Sequence, residues 1–298
     1  MLDGQVLIGG HNYHRFENVV PDGQAKGLIP RDYSTHPRGF YSSMQAVDIK
    51  TIPRAEWSAR IAQKVRNKTQ ISDIMRRKGV PCLNQKNRGY CWMHSGTAAL
   101  MAVRAVMNQK TVGLSAYSAA CKIKNFRDEG GWGAQGVDFL VSNGVCDETV
   151  WPQCGVSRSL DTPAAWENAK QYMVTEQIAD LQAAQYDRTM TFDQFMTCWL
   201  LNNPTIDDHN FWGHSVMGAD GVDGVSLRNR CRHDISGKLL TLAEFDLCWS
   251  MNDPVTAGFG CRLRNSWGED WGESGFGILA GSKAIPDGGV GLLIAVAA

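Results

Sequence analysis

The sequence predicts an α+β protein, with a helical half followed by a β-rich half. Three observations carry that prediction. Residues 91 to about 188 hold helical segments separated by glycine-rich and Trp-Pro turns. From about residue 189 the chain breaks into short apolar or alternating runs bounded by glycine, which read as strands. Between residues 84 and 107 a polar, glycine-bearing loop becomes a long apolar helix, with Cys91 at the junction.

Bulk properties exclude several classes. The 298 residues are enough for a sizeable core. The formal net charge is zero, so neither nucleic acid nor a membrane surface is expected as a partner. No run of 18 apolar residues occurs, and no transmembrane helix is expected. The first residues carry Asp3 and no basic segment, so no secretory signal is expected and an intracellular or particle-associated location is favoured. Nine cysteines, an odd number, leave at least one unpaired, and none falls in a CxxC pair. No metal or other cofactor is expected.

Residues 1 to about 50, rich in Gly, Pro, His and Asn, read as an irregular arm with short strands at best. Residues 54–78 read as helical, with Trp57, Ile61 and Val65 on one face and a basic opposite face. That segment is a candidate cover for an active site. Gly79 and Pro81 stop it. Ala98, Met101, Ala102, Ala105 and Val106 give the next helix a small-residue face suited to a central position. Further helices are expected over 116–124, 137–142, 163–171 and 192–201, the last capped by Thr191. Strands are expected near 205, 214–222, 258–265 and 276–279, with the tail from Val290 as a last strand.

Cys91 sits where the positive end of a helix dipole favours thiolate, the nucleophilic form. A working nucleophile also needs a base, a group to orient that base, and donors for an oxyanion. Of seven histidines, His209 and His214 are the candidates on strand-like segments, and His214 heads the apolar run GHSVMGADG. In RNSWGEDWGESGFGIL, Asn265 is an amide among tryptophans, placed to hold a histidine Nδ1–H while tryptophan excludes water. Gln85, six residues before Cys91, carries a side-chain amide able to donate beside the unpaired first-turn N–H of Cys91.

Taken together, Gln85, GYCW with Cys91, His214-Ser-Val and NSWGxxWGExGF from Asn265 resemble the papain-like (cathepsin-type) cysteine peptidases. The resemblance spans about residues 72 to 297. It implies a papain-like fold, with a helical half over about 91–188, a β-barrel-like half over about 189–298 plus 71–90, and a cleft between them. Residues 1–70 would form an N-terminal arm or pro-like extension outside the 71–298 peptidase domain. It implies Cys91 as nucleophile, His214 as base and acid, Asn265 as its orienter, Gln85 as oxyanion donor and Trp267 as shield. Gly130 and Gly131 would bond the main chain of an extended polypeptide substrate. Ala295 would floor the specificity pocket and favour an apolar side chain. A protein inhibitor, or the chain's own N-terminal segment, is a further candidate occupant of the cleft.

The sequence departs from the family at several positions. Arg88 and Asp128 stand where a bridging cysteine pair is usual, and the resemblance places them for a salt bridge instead. Cys121 and Cys154 remain able to pair. Tyr90 replaces a small residue and is expected to narrow the cleft. An insertion around 226–253 lengthens the span from His214 to Asn265. Two alternatives stay open: an amidase or transpeptidase using the same triad, and a non-catalytic papain-fold binding or structural protein.

Overall fold

The computed structural model describes residues 6–17, 20–228 and 239–295. Cys231, His233 and the middle of the 226–253 insertion lie outside the described residues, as do the last three residues of the tail. In chain order the elements are β1 (Val6–Ile8), α1 (His14–Glu17), α2 (Trp57–Asn67), α3 (Ile71–Arg77), α4 (Cys91–Val106), α5 (Ala116–Ile123), α6 (Gly133–Ser142) and α7 (Pro163–Ala169). There follow β2 (Gln177–Asp180), α8 (Arg188–Leu200), β3 (Thr205–His209), β4 (His214–Asp223), α9 (Gly224–Leu227), α10 (Leu242–Trp249), β5 (Phe259–Arg264), β6 (Phe276–Ala280) and β7 (Gly288–Leu293).

The strands form one open seven-stranded sheet in the order β1-β6-β5-β4-β3-β7-β2, so the barrel-like half expected from sequence is corrected to an open sheet. Every pairing is antiparallel except β1 with β6. All ten residues of β4 are buried because both faces of this central strand are covered. One face packs on α4, and α2 and α8 cover the other. On the α4 side the core joins Trp92, Leu100, Tyr117, Val137 and Leu140. On the α8 side it joins Trp57, Phe192, Phe195 and Trp199.

Local chemistry sets most element ends. Asp187, not Thr191, caps α8 by accepting the Met190 N–H, so this helix starts earlier than its apolar pattern suggests. Thr241 and Glu244 form a reciprocal capping box on α10, the helix of the insertion. The basic segment 54–78 is two helices, broken where Lys68 turns left-handed. They lie against the sheet rather than over a cleft: Trp57 is buried edge-on to Phe192 and Phe259. The first residues also join the fold, because β1 pairs with β6 from Val6↔Gly277 to Ile8↔Leu279.

Asp220 of β4 locks α3 to the sheet. Its buried carboxylate accepts the Ile71 N–H at 2.7 Å and the Ser72 N–H at 3.2 Å, two donors that the helix itself cannot satisfy. Asp220→Ala should therefore lower unfolding free energy by about 2 kcal/mol, the cost of stranding buried donors. Urea denaturation measures this, and a loss below about 0.5 kcal/mol would contradict the capping role.

Candidate active site

The loop before α4 is fastened at several points. The Gln85 N–H donates to the Ser266 carbonyl at 2.8 Å, and the Tyr117 hydroxyl donates to the Gln85 carbonyl at 2.6 Å. Arg88 Nη1 lies 3.5 Å from Asp128 Oδ2, so an ion pair occupies the position of the missing bridge. Asp128 Oδ1 also accepts the Gly89 N–H at 2.9 Å, which makes this carboxylate a clamp on the loop. Tyr90 does not narrow the cleft. Its ring is buried edge-on to Tyr117 and its hydroxyl donates to the Arg127 carbonyl, because the α4 N-terminus turns it into the core. Cys121 and Cys154 are both free thiols.

The structure brings Cys91, His214, Asn265, Gln85 and Trp267 to one end of the sheet. Cys91 opens α4 and is buried against the backbone of Ser215 at the start of β4. Asn265 follows the last residue of β5, beside β4. His214 Nε2 lies 2.8 Å from Asn265 Oδ1. The nitrogen held by the asparagine is thus Nε2, not the Nδ1 expected from sequence, because the ring enters from the strand side. Nδ1 is buried and makes no hydrogen bond. Trp267 lies over the imidazole at 4.8 Å between ring centroids and 36° between planes. Trp212, which sequence reasoning missed, closes a second side of the ring at 4.8 Å.

Another part of the site comes from the arm. Residues 25–29 cross the cleft as an extended segment. The Ile29 N–H donates to the Gly131 carbonyl at 2.9 Å, and the Gly131 N–H donates to the Gly27 carbonyl at 3.0 Å, a parallel pairing of Leu28 with Gly131. Leu28 N–H reaches the carbonyl of Gly213, just before His214, at 3.2 Å. Gln85 Nε2 donates to the Ala25 carbonyl at 3.0 Å and to the Arg88 carbonyl at 2.9 Å. Trp267 Nε1 reaches the same Ala25 oxygen at 3.2 Å. The approach requires glycine, since a Cβ on Gly27 would sit on the Gly89 carbonyl oxygen and one on Gly130 would sit on that of Gly27. The covering segment is therefore 25–29, which lies in the irregular arm and not in the 54–78 helices.

Ala295 is not brought to this site. β7 meets β3 at Gly288↔Asp208 near the cleft and runs away to Leu293↔Gln177. Ala295 lies beyond, on the order of 20 Å along the strand direction, in an apolar cavity with Val47, Ile49, Leu201 and Leu293.

Burial dominates the electrostatics of the covered site. It pushes the Cys91 thiol up to about 12, although backbone groups of Ser215, Gly27 and Trp92 pull the other way. It pushes His214 down to about 3, against the hydrogen bond that Nε2 donates to Asn265 Oδ1. Under the arm the pair is thiol and neutral imidazole rather than thiolate and imidazolium.

No protein-family profile matches the chain. Among curated proteins it is similar to zingipain-1 of Zingiber officinale, 24% identical over 223 residues that cover 74% of this chain and 91% of the relative. Cathepsin K of Mus musculus is 23% identical over 298 residues, covering 94% of this chain and 77% of the relative. Among solved structures, xylellain, a cysteine protease from Xylella fastidiosa, superposes with a TM-score of 0.51 at 15% identity, over 92% of this chain and 98% of its own. Digestive procathepsin L 3 of the Tenebrio molitor larval midgut also gives 0.51, at 13% identity over 95% and 79%. The relatives are papain-family cysteine proteases, and the fold of this chain is papain-like.

A histidine ordinarily titrates near 6.5, and under the arm His214 titrates near 3. Between those values protonation favours the uncovered cleft, so the arm should loosen as pH falls. Protection of the Ile29 and Gly131 amides from hydrogen exchange should drop from about pH 7 to about pH 4, relative to His214→Gln at each pH. Equal pH dependence in the two proteins would contradict this.

Proposed function

We propose that this papain-fold chain is a cysteine peptidase whose cleft is occupied by its own N-terminal arm. The observation that carries the reading is the His214 Nε2–Asn265 Oδ1 contact at 2.8 Å, which leaves Nδ1 without a hydrogen bond and available to a proton. An imidazole so held presents one nitrogen to a proton and cannot turn away. Trp212 and Trp267 keep water from the pair and strengthen it electrostatically.

In the proposed reaction the Cys91 sulfur, having given its proton to His214 Nδ1, attacks a peptide carbonyl carbon. The carbonyl electron pair moves to oxygen, where the Cys91 N–H and Gln85 Nε2 donate to it. Collapse breaks the C–N bond, His214 returns its proton to the departing amine, and a thioester remains. Water then gives a proton to His214 as it attacks the thioester, collapse breaks the C–S bond to release the acid and the thiolate, and the thiolate takes the proton back from His214. Gln85 Nε2 is engaged with the Ala25 carbonyl while the arm is in place, so the arm and a substrate compete for the same donor. Gly131 is engaged in the same way.

Two variants test this together. Gly27→Val cannot hold the arm against Gly89, so it should react with a thiol-directed epoxide at least about tenfold faster than the wild type. Gly27→Val with Cys91→Ala should not react. Labelling that survives loss of Cys91, or none in either form of the intact cysteine, would overturn the peptidase reading and leave a binding or structural protein. Added amine nucleophiles that capture the acyl group in preference to water would point instead to a transpeptidase.

A further inference from the structure

The arm leaves Gly131 and crosses the end of the sheet where β3 meets β7. A cavity of about 40 Å³ lies there, lined by Arg31, Tyr33, Asp208, Asn210, Asp287 and Gly288. It adjoins the cleft wall, because Asp208 Oδ2 accepts the Gly133 N–H at 3.0 Å, two residues from the Gly131 that carries the arm. Asp208 is also close enough to Cys91 to act on its charge. Asp287 accepts the Asn210 N–H at 2.7 Å.

The cavity carries two carboxylates and one cation, Arg31, which acts on Asp208 but makes its hydrogen bonds elsewhere. The Arg31 guanidinium makes two bonds of 2.9 Å to Asp180 and donates to the His36 and Pro37 carbonyls at 2.8 and 2.6 Å. Lys283 and Arg188 act on Asp287 without a hydrogen bond between them among the described residues. Independently of the carboxylates, Tyr33 is only 8% exposed, and its hydroxyl lies against Gly288 with no hydrogen-bond partner. A buried phenol oxygen without a partner, facing one small cavity with two carboxylates, describes a site for a hydrogen-bond-donating cation.

We propose that this is the specificity pocket of the cleft and that it selects a basic side chain, lysine or arginine, whose cation pairs with Asp208 and Asp287. The inference rests on the peptidase reading and adds a substrate class to it. With the arm in place the volume suits a single ammonium group. Lifting residues 25–29 opens the approach a long side chain needs, while Tyr33, beyond the Arg31–Asp180 clamp, stays as a wall and acceptor of the pocket. The Asp208 carboxyl, held up to about 6 by burial, is ionised above that pH and ready for a counter-charge. The preference is the reverse of the apolar one expected from Ala295, whose place in the pocket falls to Gly288 and Asp208.

The test uses full-length Gly27→Val and a peptide series carrying lysine or norleucine in turn at each of the three positions before the scissile bond. Norleucine keeps the stem of lysine and removes the charge. Lysine should exceed norleucine at one position by about tenfold or more in kcat/KM, and Asp208→Asn should cut that ratio to about threefold or less. Asp287→Asn is the second variant, should Asp208→Asn fold poorly. Binding of the same peptides to Gly27→Val/Cys91→Ala gives a readout without turnover. Turnover with no lysine preference at any position overturns the pocket and leaves the peptidase. Lysine-selective binding that depends on Asp208, without turnover, overturns the peptidase and leaves the pocket. Neither turnover nor selective binding overturns both.

Discussion

The packing of α4 flat against β4 is the constraint on which the site depends. The helix is buried almost all round, with Gly96, Ala98, Ala99, Ala102 and Ala105 thinning it enough to lie close to its neighbours. Because β4 starts at His214 and α4 starts at Cys91, laying one on the other brings their N-terminal ends together. Cys91 and His214, the proposed nucleophile and base, are thus positioned by two long elements rather than by loops. Asp220 and Asp128 serve the same end from opposite sides, one fixing α3 to β4 and the other the loop before Cys91. Ser95 and Ser215, 2.9 Å apart through their hydroxyls, tie the two elements one turn beyond the site.

Burial sets the state of the site more than the helix dipole does. A dipole at the end of α4 favours thiolate, and a solvated cleft would let it. Beneath residues 25–29 the same sulfur is enclosed, and desolvation outweighs the dipole and three backbone groups together. Covering the cleft therefore does more than block it: the charge pair on which the proposed chemistry depends is discharged. Two donors that a substrate would need, Gln85 Nε2 and the Gly131 N–H, are meanwhile held by carbonyls of the arm.

Much of the site was legible because its chemistry is written in short local runs. Cys91, His214 and Asn265 each sit in a stretch whose neighbours declare a helix start, a strand start and a tryptophan-rich turn. Their meeting in space was carried by resemblance rather than by pattern. What stayed hidden depends on partners far away in the chain. β1 and β2 are three and four residues long, too short for periodicity to register. Leu28 pairs with Gly131 across a hundred residues, and no local signal announces it. The register of β7 placed Gly288 rather than Ala295 beside the cleft, since the run from Gly288 to Leu293 reads as strand throughout and offers no mark of which residue meets Asp208. Which nitrogen of His214 faces Asn265 follows from the direction of ring entry, and a sequence does not carry that. The direction of Tyr90 was misjudged for a similar reason, because a residue just before a helix can face the cleft or the core.

The covering segment is fastened at both ends. Upstream, β1 is zipped to β6, and Lys26 Nζ donates to the carbonyls of Phe16 and Glu17. Downstream, Arg31 is clamped on Asp180, and the chain continues into buried Ile52 and Trp57. Such a strap does not swing aside like a door; it lifts only by bulging between its anchors. A single backbone cut between Glu17 and Lys26 would not shed the first residues either. Val6–Phe16 would remain as a separate strand and turn bound to the sheet, and the product would be a two-chain protein whose smaller chain shields the edge of β6.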